Sequence, residues 1–209
     1  MTLNNIEEIA AFIVADGKGI LAADESNPTC GKRFDSIGVE STEKNRRDYR
    51  EMLFRSKGMK GNIGGVILFD ETIRQSAADG TLLRDLILDQ GALPGIKVDK
   101  GLQPIDECPG ETITVGLDGL DERLKEYASM GAKFTKWRAV INIGDGTPTD
   151  KCIDANMEAL ADYAKCAQEN GMVPIVEPEV LMDGEHSIDE CCEATDRSLR
   201  SLFMHLWQK

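Results

Sequence analysis

Charged residues stand at alternate positions inside short apolar segments of this chain. Segments with a strand-like composition cover residues 19–24, 64–69, 95–99, 134–140 and 173–180. Successive side chains point to opposite faces of a strand, so the last segment places Glu177 and Glu179 on one face and valines on the other. Four of the five segments follow this pattern. A sheet covered by helices on both faces would not tolerate it, whereas the cleft at the strand ends of a barrel would.

The charged positions carry both signs, which limits the cost of burying them together. They comprise three cations and four anions, namely Lys97, Lys136, Arg138, Asp24, Asp99, Glu177 and Glu179. Cations in a cleft hold phosphate, a desolvated lysine attacks a carbonyl carbon, and neighbouring carboxylates transfer protons. The pattern therefore predicts a site for a phosphorylated carbonyl compound, and we expect it to need no metal and no cofactor.

Each of these residues also has an interpretation without chemistry. A charge can mark a solvated strand end or a structural ion pair. Asp24 is also suited to a turn after the first strand, and Ser26 to capping the helix that follows. Arg46 falls in a highly charged helical pattern, and from composition alone a solvated helix face is the favoured interpretation.

Helical patterns separate the five strand segments. They cover residues 42–56, 118–130 and 149–170, and a last one starts near residue 188. Gly171 is a natural helix-ending glycine, and Ser187 with Glu190 forms a capping-box motif. Strands that alternate with helices predict a parallel sheet and an α/β fold. No linker composition interrupts the chain, so we expect residues 1–209 to form a single domain.

Composition excludes several classes of protein. A net charge of −13 argues against a nucleic-acid partner and against an anionic membrane surface, so an anionic substrate needs a local basic pocket. The six cysteines form no C-x-x-C pair and only two histidines are present, which favours reduced thiols in a cytoplasmic protein over a zinc site. The first residues lack the basic start of a signal peptide, and no apolar run reaches membrane-spanning length.

Seven stretches, in order along about residues 5–200, closely resemble the class I (Schiff-base) fructose-bisphosphate aldolases. They read GKGILAADES, NRRDYR, GGVILFDET, GIKVDKG, GLDGL, KWRAVINIG and VPIVEPEVLMDGEH. The resemblance implies a (β/α)8 TIM barrel without a cofactor, of a family that is usually homotetrameric. It implies a lyase of glycolysis and gluconeogenesis, which reversibly cleaves fructose 1,6-bisphosphate into dihydroxyacetone phosphate and glyceraldehyde 3-phosphate.

The same resemblance implies a role for each matching residue. Asp24 assists proton transfer, and Lys136 stabilises charge on the reaction intermediates. Glu177 is the principal general acid and base, and Glu179 is a neighbouring carboxylate that tunes it. Five further residues match substrate-binding positions: Ser26, Arg33, Arg46, Lys97 and Arg138.

The chain also departs from the family pattern. The family's imine-forming lysine lies on the sixth strand, in a segment reading roughly LLKPNM. That segment is absent here, and after Glu179 the only lysine is Lys209. About five of the eight strand–helix units are present, so we expect an incomplete barrel, truncated after the fifth unit, that is marginally stable or oligomeric and has little or no aldolase activity. Two alternatives stay open: a non-catalytic sugar-phosphate-binding remnant, and a scaffold that presents an apolar edge. Preference between fructose 1,6-bisphosphate and fructose 1-phosphate also stays open.

Overall fold

A computed structural model describes residue 3 and residues 5–209 of the chain. Its helices are α1 Ile6–Ile13, α2 Asn27–Asp35, α3 Glu43–Phe54, α4 Asp70–Arg74, α5 Leu83–Asp89, α6 Leu120–Ser129, α7 Asp150–Glu169 and α8 Ile188–Gln208. Its strands are β1 Gly19–Ala23, β2 Ile63–Leu68, β3 Leu93–Lys97, β4 Leu102–Ile105, β5 Cys108–Thr114, β6 Phe134–Ile141 and β7 Val173–Val180. Across the part of the chain that the structure covers, no helix is long and apolar enough to cross a membrane.

The main sheet has five strands in the order β1-β2-β3-β6-β7. β1 pairs with β2 and β2 with β3 in parallel, so that Gly65 lies opposite Ile20 on one side and Leu93 on the other. The five predicted strands are thus confirmed, with ends that differ from the expected ones by at most two residues. This α/β arrangement is consistent with a partial (β/α)8 TIM barrel, as the sequence predicted.

The chain divides into two compact units. Among the described residues, unit 1 comprises residue 3 and residues 5–97, 125–135 and 171–173. Within it, the Phe134 ring packs directly on two strand glycines: a Cβ added to Gly65 would lie 2.8 Å from the ring, and one added to Gly95 only 2.3 Å. The amide of Lys133 donates to the Pro94 carbonyl at 2.8 Å, and the Val173 amide donates to the Lys133 carbonyl at 3.1 Å. Glycine at these positions therefore lets an aromatic ring approach the strand backbone.

Unit 2 comprises residues 98–124, 136–170 and 174–209. Trp137 of β6 stacks on Tyr163 of α7, with the ring centroids 5.4 Å apart. The unit also contains an antiparallel β4–β5 hairpin that was not predicted. Asn156 fixes this hairpin to α7, because its side chain accepts from the Thr114 amide at 3.2 Å and donates to the Thr112 carbonyl at 2.9 Å.

Local signals place the ends of the long helices correctly. Ser187 and Glu190 form the expected capping box at the start of α8. Gly171 follows the end of α7 with φ of 70°, a conformation in which glycine is favoured. Helix α3 begins at Glu43, where the Thr42 side chain accepts from the Asn45 amide at 3.1 Å. The shorter helices α1, α4 and α5 were not predicted, and α2 was expected only as the helix that Ser26 precedes.

Candidate functional site

In unit 2, β6 presents two cations on one face. Lys136 and Arg138 are half-buried, whereas Thr135, Trp137 and Ala139 on the opposite face are fully buried. This confirms the alternation that the sequence predicted for this strand. The fully buried face anchors β6 in unit 2, so the backbone holds the two charged side chains on the other face at a fixed spacing.

The carboxylates of β7 pair with these cations. Lys136 Nζ lies 3.1 Å from Glu177 Oε2, and Arg138 forms an ion pair with Glu179. Four of the predicted site residues therefore form two ion pairs, each of which lowers the cost of burying its charges. The Lys136 side chain is only 12% exposed, whereas that of Glu177 is 37% exposed.

This arrangement suits acid–base chemistry on an anionic substrate. A carboxylate within hydrogen-bond distance of a substrate hydroxyl can accept and return a proton. An ammonium and a guanidinium together stabilise anionic oxygens. The loops after β6 and β7, with Glu190 of α8, line a cavity of about 380 Å³ that includes Asp145 and His186 but none of the four ion-paired side chains. Ligand sites of parallel α/β proteins lie at this carboxyl end of the strands.

In unit 1, the end of β1 leads into a buried acidic pair. Asp24 and Glu25 follow the strand directly, and each is 9% exposed. Arg33, a predicted site residue, forms an ion pair with Glu25. The Tyr49 hydroxyl donates to the same carboxylate at 3.3 Å, and burial raises the pKa of Tyr49 above its usual value. Glu25 thus links the first strand to both α2 and α3.

Arg46 is buried, not solvated. It is 8% exposed and binds Glu71 through two parallel hydrogen bonds, Nε to Oε1 at 2.8 Å and Nη2 to Oε2 at 2.6 Å. The interpretation of Arg46 as part of a solvated helix face is therefore wrong. The hydrogen bonds from Arg46 hold the pKa of Glu71 below its usual value. The inward face of α3 carries Arg46, Arg50 and Phe54, which recur every four residues.

Ser26 and Lys97 occupy the ends of elements. Ser26 stands at the N-cap position of α2 without a capping hydrogen bond from its side chain, and its Oγ lies 3.0 Å from Thr29 Oγ1. Lys97 is the last residue of β3 and is half-buried, while its neighbours Ile96 and Val98 are fully buried. The alternation of charged and buried apolar side chains around Lys97 is therefore as predicted.

Sequence reasoning missed the side chains that support these residues. Glu25 and Glu71 were not singled out as partners of Arg33 and Arg46, and Arg50 was not named at all. The available signal was the four-residue spacing of Arg46, Arg50 and Phe54, which marks one helix face. No cluster of three or more His, Cys, Asp or Glu suited to a metal ion occurs at residue 3 or in residues 5–209.

Comparison with known proteins supports a single family. A family model described as "Glycolytic: Fructose-bisphosphate aldolase class-I" matches residues 5–209. A probable fructose-bisphosphate aldolase class 1 from Xanthomonas campestris pv. campestris is 54% identical over 209 residues, which is all of this chain and 63% of the relative. The cytosolic fructose-bisphosphate aldolase 4 of Arabidopsis thaliana is 52% identical over 197 residues, 94% of this chain and 50% of the relative. A chloroplastic relative from Chlamydomonas reinhardtii is 51% identical over the same length.

A solved structure agrees with these relatives. Fructose-bisphosphate aldolase from Plasmodium falciparum, crystallised in complex with TRAP and a small-molecule inhibitor, matches with a TM-score of 0.94 and 47% identity. The match covers 96% of this chain and 58% of that one. This chain therefore spans between half and a little under two thirds of the length of these relatives. The family model and the relatives together show that the chain belongs to the class I fructose-bisphosphate aldolase family.

Proposed function

We propose that the chain supplies the acid–base and phosphate-holding part of class I aldolase chemistry on fructose 1,6-bisphosphate. The observation that carries the proposal is the Lys136–Glu177 contact of 3.1 Å, flanked by the Arg138–Glu179 ion pair on the same two strands. Glu177 acts as the general acid and base. Glu179, which is paired with Arg138, is the neighbouring carboxylate that tunes Glu177. Lys136 stabilises the negative charge that develops on the substrate.

The remaining predicted residues take the roles that the family resemblance gives them. Asp24 assists proton transfer. Ser26, Arg33, Arg46 and Lys97, together with Arg138, bind the substrate and its phosphates. Arg33 is already held by Glu25 after β1, and Arg46 by Glu71 after β2, so each of these arginines contributes to the shape of the segment after a strand as well as its charge. We also propose that the protein is cytoplasmic, that it forms a single aldolase-type domain and that it assembles as a homotetramer, as members of the family usually do.

Titration calorimetry with fructose 1,6-bisphosphate tests this proposal. Lys136→Met and Glu177→Gln are the informative variants, and Lys133→Met, which alters an exposed lysine just before β6, is the matched control. A charge-assisted hydrogen bond contributes about 1.5–3 kcal/mol, so we expect Lys136→Met to weaken binding by roughly ten- to a hundredfold. Equal affinity of Lys136→Met and Lys133→Met would refute the assignment of Lys136.

A second candidate function is binding without cleavage. It rests on the family resemblance, which puts the imine-forming lysine on a sixth strand, whereas the main sheet of the described residues has five strands. We propose that the 209-residue polypeptide alone binds the sugar phosphate without turning it over. Borohydride trapping with dihydroxyacetone phosphate, followed by peptide mapping, separates the two functions. A stoichiometric adduct on Lys97 or Lys136, together with measurable cleavage, would establish the 209-residue chain as an enzyme in its own right.

A further inference from the structure

Arg50 is a fully buried cation with an unusual set of partners. Its side chain is 0% exposed, in the middle of α3. Its Nη2 donates to the main-chain carbonyl of Glu25 at 2.7 Å, and its Nε donates to the main-chain carbonyl of Ala23 at 3.3 Å. The same Nη2 lies 3.3 Å from Glu25 Oε2. The guanidinium therefore binds the backbone on both sides of Asp24.

Stability alone does not explain an arginine at this position. A fully buried ion pair contributes little to stability compared with well-packed apolar residues of the same volume. An apolar side chain, however, could not bind the carbonyls of Ala23 and Glu25. The planar guanidinium presents several N–H donors in a fixed geometry, whereas lysine presents a single rotating ammonium.

We propose that Arg50 is the positioning residue of Asp24. It fixes the main-chain carbonyls of the residues on either side of Asp24, Ala23 and Glu25, and thereby sets the direction of the carboxylate. The Glu25 side chain completes this arrangement, because it accepts from Arg50 while it also binds Arg33 and Tyr49. The consequence for substrate handling rests on the function proposed above, whereas the positioning of Asp24 is measurable without any ligand.

The test uses NMR of the whole chain labelled with ¹³C in its aspartate carboxyl groups. Asp24→Asn identifies the Asp24 signal by its disappearance. Arg50→Lys and Arg50→Gln are the informative variants. Arg47→Gln is the matched control, because Arg47 stands three residues before Arg50 in α3 and its side-chain hydrogen bonds go to Asp48. Arg50→Lys retains the charge and serves alone if Arg50→Gln does not fold.

We expect the Asp24 carboxyl signal to shift or broaden in Arg50→Lys and to remain in place in Arg47→Gln. An unchanged Asp24 signal in folded Arg50→Lys would overturn the proposal, since a purely structural role would lower stability without moving that signal. Binding of fructose 1,6-bisphosphate is the second readout, with a loss of about tenfold expected for Arg50→Lys, the range typical of residues that orient a ligand-binding group. If the unaltered chain does not bind this ligand, the proposed function fails while the Asp24 signal still decides the positioning role.

Discussion

Arg46 and Glu71 form a two-point ion pair whose side chains are only 10% and 19% exposed. Because Arg46 lowers the pKa of Glu71 in the folded state, the pair adds stability above the unfolded pKa of Glu71. That contribution disappears as pH falls through the folded pKa. We expect Glu71→Gln to cost about 1–3 kcal/mol at pH 7 and progressively less below pH 4.

Urea unfolding of Glu71→Gln at a series of pH values measures this dependence. Glu40→Gln is the control, because Glu40 is exposed and precedes the same helix. A stability difference between Glu71→Gln and the unaltered chain that stays constant from pH 7 to pH 3 would show that the ion pair is not the cause.

The cysteines differ in reactivity for a physical reason. Burial, assisted by the nearby Glu111 carboxylate, raises the pKa of Cys152 to about 12, whereas Cys192 is exposed at the start of α8. The thiolate is the reactive form, so we predict that iodoacetamide at pH 8 modifies Cys192 and leaves Cys152 intact. Peptide mass spectrometry reads both sites, and labelling of Cys152 at the rate of Cys192 would contradict its burial.

Residue patterns predicted part of the site and missed the rest. Alternation along single strands was sufficient to place Lys136, Arg138 and the two β7 glutamates on charged faces. The partners Glu25 and Glu71 each lie 25 residues along the chain from the arginine of α3 that they bind, so no local pattern connects them. Arg46 was misread because hydropathy treats every guanidinium as solvent-facing, whether or not a carboxylate neutralises it.

At the scale of elements, the signals that succeeded were local ones. Strand alternation, the Ser187 capping box and Gly171 each require only neighbouring residues. The β4–β5 hairpin was missed because Pro104, Pro109 and Gly110 weaken its strand pattern. Tertiary contacts hold it instead, through Asn156 and through the buried Glu111 carboxylate, which accepts from the Thr149 hydroxyl at 2.6 Å.

Because Phe134 packs on β3 at Gly95, we can predict the effect of replacing this glycine. A Cβ at position 95 would lie 2.3 Å from the ring, so either the ring or the strand must move. We expect Gly95→Ala to destabilise the protein by about 1–3 kcal/mol, the usual cost of overpacking a core. Gly19→Ala is the control, because a Cβ there meets no atom within 4 Å. Similar midpoints for the two variants in thermal unfolding would rule out the tight contact.

At the scale of the whole molecule, two features bear on assembly. β7 is at one edge of the sheet order, and α8 exposes a set of large apolar side chains. Phe203 is 67% exposed and Trp207 is 91% exposed, and both line a groove of about 620 Å³. Exposed apolar patches of this kind promote association. If the 209-residue chain is oligomeric, as we expect, this groove of α8 is the surface through which it associates.

Sedimentation velocity provides that test. We predict that the chain self-associates at micromolar concentration and that the double substitution Phe203→Ser with Trp207→Ser reduces this association. Val14→Ser is a suitable control, because Val14 is 65% exposed at a different place in the chain. A monodisperse monomer that unfolds in one sharp thermal transition would contradict the expectation.

The central claim is that the charged face of β6 and β7 holds a sugar phosphate. The most direct measurement is a titration of the ¹⁵N-labelled chain with fructose 1,6-bisphosphate, followed by NMR at the amides of residues 136–138 and 177–179. We predict saturable shifts at these amides, which Lys136→Met weakens and Lys133→Met does not. Saturable binding whose shifts fall elsewhere, or no binding at millimolar ligand, would contradict the claim.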